Sequence, residues 1–176
     1  MDKQTCNSHS TGPSNRSAVV TTLGRLRDEQ PSMKQLILVM LSSAEAEIEP
    51  KFSLGVPWLV RQILFAANYY IYVDLIEAEN HLRSKEWLRV VFVKPGGISH
   101  DVRRGHTLSE EQQQTFVSYF DVAAGMVECA ENGEKWSGKS VSVASTGKAK
   151  MLWSAVPLLS KGLLIYLLPW SHSWLY

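Results

Sequence analysis

The sequence predicts an α/β domain with a parallel sheet at its centre, and three observations carry that expectation. Val90, Val91, Phe92 and Val93 form a short apolar run that stops at Pro95, Gly96 and Gly97. A run without polar alternation suits a parallel strand buried on both faces. A second uninterrupted run, QLILVML at 35–41, has strand length and leads directly into Ser42 and Ser43. Around the two runs, apolar residues recur at helical spacing. The order helix–strand–helices–strand–helix–strand is the pattern of an α/β fold.

Taken in order, residues 1–15 are rich in Ser, Thr, Asn and Gly and read as loop or disorder. Val19, Val20, Leu23 and Leu26 predict a short amphipathic helix that ends in Arg27, Asp28 and Glu29. Pro31 separates it from the strand at 35–41. A polar loop with three glutamates follows, and Pro57 suits the first turn of a helix through Val60, Ile63 and Leu64. Residues 69–84 predict another helix, with Ile71, Leu75, Ala78 and Leu82 on one face. After the strand at 90–93, Pro95 removes a backbone donor and Gly96 and Gly97 allow positive φ, so a sharp turn is expected there. The polar stretch 99–109 reads as a flexible lid. Ser118 and Asp121 have capping-box spacing, ahead of a helical stripe at Val122, Met126 and Ala130. Residues 138–145 predict a third strand, with Val141 and Val143 alternating against serines.

At 176 residues the chain is long enough for one domain with a substantial core. A net charge of +1 gives no electrostatic case for nucleic acid. Cys6 and Cys129 are far apart with no CxxC, so neither a disulfide framework nor a zinc site is indicated. The polar N-terminus lacks the apolar core of a secretory signal, which points to the cytoplasm. The apolar tail at 151–176 is interrupted by Pro157, Lys161 and Gly162. A packed or interfacial helix is expected rather than a spanning one, with peripheral membrane contact left open.

Several residues invite a chemical reading. Residues 133–140, GEKWSGKS, match the phosphate-loop pattern GxxxxGK[ST] in letters. That motif works between a preceding strand and a following helix, whereas here a helix precedes and a strand follows. His100, Asp101 and His106 fall in a polar loop with no register to fix a common face, so no metal site is assigned. Ser42 and Ser43 lie where ligands sit in open α/β sheets, at a strand's carboxyl end. A hydroxyl there either holds a substrate carbonyl beside a cofactor or serves as a turn hydroxyl. Tyr69, Tyr70 and Tyr72 open the next helix. No lysine stands four positions on to lower a phenol's pKa, which favours packing roles.

The series LVMLSSA, YVDLIEAENHL, VVFVKPGGISHD, SYFDVAAGMVECAE and GKSVSVASTGKAK resembles the fungal averufin oxidase A-like family. That family is a branch of atypical NAD(P)-binding short-chain dehydrogenase relatives. The resemblance runs from about Ser17 to the C-terminus. It implies an oxidoreductase of secondary metabolism that acts on an aromatic, anthraquinone-like polyketide with NAD or NADP. By family position, Ser42 and Ser43 would border the nicotinamide and substrate. Ser42, Ser43 and Tyr72 are the candidates for catalysis, with no catalytic role assigned to any of them. Lys94, Pro95, Gly96, Gly97 and Ile98 would border the cofactor, and Tyr72, Asp74 and Glu79 match the family's YxDLxxAE helix. Two departures stand out. The Tyr-x3-Lys pair of typical short-chain dehydrogenases is missing, and the sequence contains no GxGxxG turn and no first βαβ unit. The expected fold is therefore the C-terminal half of a Rossmann-like doubly wound domain, of about three strands, spanning 16–148 with the apolar segment 149–176 behind it. In that form the strand at 35–41 becomes a sheet edge prone to homo- or hetero-oligomeric pairing, and dinucleotide binding by the chain alone is not expected. A non-catalytic partner of a related full-length protein is the alternative function.

Overall fold

The computed structural model describes residues 15–29, 36–46, 58–113, 116–147 and 155–168. Expectations placed on 1–14, on Pro57 and on both ends of the apolar tail lie outside these residues. The chain divides into two compact units, Met1–Leu36 and Ile37–Tyr176. In the first, helix α1 spans Asn15–Glu29, where the sequence predicted it.

The second unit is built on a four-stranded sheet of order β1-β2-β6-β4. Strand β1 (Ile37–Leu41) pairs in parallel with β2 (Arg89–Val93), with Val39 opposite Val91 and Leu41 opposite Val93. Strand β6 (Ser140–Ser145) continues the sheet in parallel on the other side of β2. Between β1 and β2 come a 3-10 turn at Ala44–Ala46 and helices α2 (Trp58–Ala67) and α3 (Tyr69–Arg83). Between β2 and β6 come α4 (Tyr119–Glu131) and the short α5 (Gly133–Trp136). The core is Val91, Val93, Val141 and Val143, all fully buried, packed with Val117, Val122, Cys129 and Trp136. Burying each valine contributes roughly 1.5–3 kcal/mol.

Three sequence expectations are corrected here. Strand β6 does not alternate between a wet and a dry face, because Ser140, Ser142 and Ser145 are buried with the valines. The helical stripe of α4 runs through Val122, Gly125, Met126 and Cys129, so of the expected residues Val122 and Met126 face the core and Ala130 alone is exposed. More strands exist than the three expected. Strand β4 (His106–Ser109) pairs antiparallel with β6, and β3 (Gly97–Ser99) with β5 (Phe116–Ser118) forms a separate two-stranded parallel sheet. These pieces are three or four residues long, too short to leave a periodic signal, so only their partners make them strands.

The stretch 99–109 is accordingly not a free lid. Gly97 also differs from expectation. Among the described residues positive φ occurs at Gly105 (87°) and Gly138 (78°), not at Gly96 or Gly97. The chain does bend at Gly96, as expected, but it does so without a left-handed residue and then extends into β3, with Gly97 opposite Phe116.

In the apolar tail, α6 spans Ala155–Leu167 and packs on α2. Pro157 does not break it, because it lies in the first turn, where its missing N–H has no intrahelical partner to lose. No helix among the described residues is long and apolar enough to cross a membrane.

Candidate active site at the strand carboxyl ends

Ser42 and Ser43 leave β1 at the carboxyl end of the sheet, and the backbone pairing with β2 continues past both strands. Ser42 N donates to Val93 O at 2.8 Å and Ala44 N to Pro95 O at 3.1 Å. The first turns of α3 come down beside this end. There Tyr72 packs its ring against Phe65, with centroids 5.4 Å apart, and hydrogen-bonds the Ser43 side chain. Tyr69 also meets Phe65 edge-on, with centroids 6.1 Å apart, but it stacks with Tyr70 and Tyr166 away from Ser43, and Tyr70 is exposed. One of the three tyrosines is thus a site residue and two are surface packing groups.

Burial pushes the Tyr72 phenol up to about 12; the nearby Glu45 charge adds to the rise, and the Ser43 hydrogen bond opposes it. Glu45 is itself raised by burial, against the pull of Arg61, whose Nε lies 3.7 Å from Glu45 Oε2. Tyr72 therefore stays protonated at any ordinary pH. It is a weaker acid than a free phenol, able to hydrogen-bond a ligand oxygen and to yield its proton only to a strongly basic one such as a developing alkoxide. The pH consequence has a definite sign. A folded pKa of about 12 against an ordinary 10.0 means that the folded state holds the proton more tightly. The resulting contribution, roughly 3 kcal/mol, is complete below the ordinary value and is lost as pH rises through the folded one. Titrating phenolate absorbance should show one of the six tyrosines ionising after the rest, and Tyr72→Phe should delete that last component. Loss of a different component would remove Tyr72 from the site.

Behind this pair lies a second cluster. Glu79 is buried, one side of its carboxylate accepting from Ser42 Oγ and the other, Oε2, lying 2.9 Å from Lys94 Nζ. Lys94 is 1% exposed, so its ammonium is turned inward to Glu79. Of the five residues expected to border a cofactor, Pro95 is buried too, while Gly96 and Ile98 are half-buried and Gly97 is exposed. Surface for a ligand is thus offered by 96–98. Sequence reasoning gave Glu79 no role, yet a signal was present. It stands four residues after Leu75 and three before Leu82, a charge on the apolar stripe of α3.

The remaining candidates do not join this site. His100 stacks on Tyr119, Asp101 pairs with Arg104 at 2.8 Å, and His106 meets Glu128 at 2.9 Å, each on a different partner. The phosphate-loop letters fall on α5 and the start of β6, so a helix leads and a strand follows.

No protein-family model matches the chain. It is 40% identical over 161 residues to oxidoreductase stcQ of Emericella nidulans, which covers 90% of this chain and 58% of that protein. It is also 39% identical over 160 residues to oxidoreductase aflX of Aspergillus parasiticus, covering 89% and 59%. The chain is similar to named fungal oxidoreductases. It spans less than two thirds of the length of these relatives. Among solved structures, a candidate epimerase of Bacteroides thetaiotaomicron superposes with a TM-score of 0.50 at 16% identity, over 77% of this chain and 63% of that one. That is a likeness of fold.

Proposed function

We propose that the chain carries the substrate-facing part of an NAD(P)-dependent oxidoreductase of fungal secondary metabolism, acting on an aromatic, anthraquinone-like polyketide. The observation that carries this reading is the placing of Tyr72, packed on Phe65, beside Ser42 and Ser43 at the carboxyl end of a parallel pair, where Ser42 N donates to Val93 O and Ala44 N to Pro95 O. In such a site Tyr72 donates its proton to the alkoxide oxygen developing from a substrate carbonyl while Ser43 holds the phenol in place. Gly96, Gly97 and Ile98 suit the nicotinamide end of NAD or NADP, which when bound supplies or accepts the hydride. The pyrophosphate end is usually held by a GxGxxG turn, a motif not found within these 176 residues. The fold is accordingly read as the second half of a Rossmann-like sheet, completed by a further strand–helix unit.

A chimera joining the amino-terminal part of stcQ to this chain tests the proposal. It should bind NADPH and reduce a hydroxyanthraquinone such as alizarin, and Tyr72→Phe should lower kcat by about 10²–10⁴ with NADPH affinity unchanged. An unaltered kcat would overturn the assignment of Tyr72. A second reading, a non-catalytic partner of a related full-length protein, is favoured by β1, which lies at the sheet edge with Leu41 exposed. Co-purification with stcQ in place of restored turnover would select it.

A further inference from the structure

Glu79 is a buried charged group that the chemistry above does not use. It joins three elements: its own helix α3, Ser42 after β1 through Oε1, and Lys94 after β2 through Oε2 at 2.9 Å. One turn further along α3, Arg83 also reaches Glu79 Oε2 at 3.7 Å, stacks on the Phe92 ring at 4.1 Å and donates to Ser140 Oγ at 3.0 Å, which anchors the same helix to β2 and β6 lower down. A buried ion pair is weak evidence for stability, because apolar groups of the same volume often serve as well or better. Its use must lie elsewhere. Strands β1 and β2 are ILVML and RVVFV, apolar runs with no alternation to distinguish one face from the other. Side-chain pattern alone therefore sets their relative register weakly. A single carboxylate bound to a residue at the end of each strand sets it firmly.

We infer that Glu79 is a positioning residue, with Lys94 and Ser42 as its two attachment points. By fixing the end of β1 against the end of β2, it sets where the Ser43–Tyr72 pair stands relative to a ligand lying on Gly96, Gly97 and Ile98. Lys94 then acts from behind the site and touches no ligand. The assignment rests on the reading that ligands bind at these strand ends, but its test needs neither cofactor nor substrate.

The test compares amide hydrogen exchange in the full chain, in Glu79→Gln and in the double variant Glu79→Leu/Lys94→Met. Glu79→Gln removes the negative charge that lies 2.9 Å from Lys94 Nζ and should lower the melting temperature. The double variant removes both charges and should melt close to wild type. In both variants, protection at the Ser42 and Ala44 amides, which bond across the strand ends, should fall by about tenfold or more, while protection at Phe92 in the double variant stays as in wild type. The Tyr72 phenol should also shift its titration in both. Should Glu79→Gln fail to fold, the double variant decides alone. A double variant that restores melting, amide protection and the Tyr72 titration together would show a merely structural pair and overturn the inference. A chain that binds no NADPH counts against the proposed reaction but leaves this comparison as it is.

Discussion

Asp121→Ala is expected to lower stability by roughly 3–5 kcal/mol, the range found when one partner of a fully buried polar network is deleted. Asp121 is 0% exposed in the first turn of α4. Its carboxylate accepts from Arg104 N at 3.2 Å, Gly105 N at 3.0 Å, Ser118 Oγ at 2.8 Å and Ser145 Oγ at 3.3 Å. Its own N–H donates to Ser118 Oγ at 3.1 Å, the helix cap that the sequence spacing announced. The position favours a negative charge, since the N-terminal end of a helix carries partial positive charge. Alanine would leave two backbone donors and two hydroxyls without this acceptor.

The consequence reaches beyond α4, because Asp121 holds the segment at 104–105 against β6. Gly105 adopts φ 87°, and a Cβ there would stand 2.7 Å from Thr146 Oγ1, so the turn is both left-handed and tight. Thr146 N completes it by donating to Gly105 O at 3.0 Å. Asp121→Asn keeps the shape but replaces one acceptor oxygen with a donor, and should cost less than alanine. Urea unfolding checks both: the midpoint should fall in the order wild type, asparagine, alanine with an unchanged slope. An alanine variant within about 1 kcal/mol of wild type would show that the network is not the clamp described.

Gly162→Val is the second large effect, expected at roughly 3 kcal/mol. At this point α6 crosses α2 so closely that a Cβ on Gly162 would lie 2.0 Å from Ala67 O and 3.0 Å from Ala67 C. Those are backbone atoms and cannot swing aside, so the helices must part. Gly162→Ala separates sterics from propensity. It gains about 1 kcal/mol of helix propensity, and should still destabilise because the same Cβ meets the same carbonyl. Thermal melting measures the loss. Limited proteolysis shows whether α6 comes away alone or takes α2 with it. Leu167→Ala is the control, an exposed position on the same helix where little should change. If Gly162→Val melted with wild type, the tail would not pack on α2 as described.

How much of this was readable beforehand depends on where each constraint originates. The parallel core was legible because Val90, Val91, Phe92 and Val93 are unbroken by polar residues, and burial on both faces leaves that trace in any chain. The cap at Ser118 was legible because a side chain bonding three residues on is a local event. The Tyr72 shift was not legible: the sequence showed only that no lysine four residues on lowers the phenol, while the rise comes from burial beside Glu45. Short strands such as β4 were hidden, since His106 to Ser109 become a strand only by pairing with β6, a partner some forty residues away in the sequence.

The sequence by itself therefore determined the α/β class, the strands β1 and β2, and the placing of Ser42 and Ser43 at the end of a strand. These follow from periodicity and chain direction, which are properties of neighbouring residues. Only the tertiary structure decided that Tyr72 and not Tyr69 or Tyr70 meets Ser43, that Lys94 turns inward, and that Glu79 receives both Ser42 and Lys94. It also decided that Gly162 serves as a close crossing point of two helices rather than a break in one. In each case the deciding contact joins residues far apart in sequence, and its energy depends on burial and distance, quantities that exist only once the chain has closed on itself.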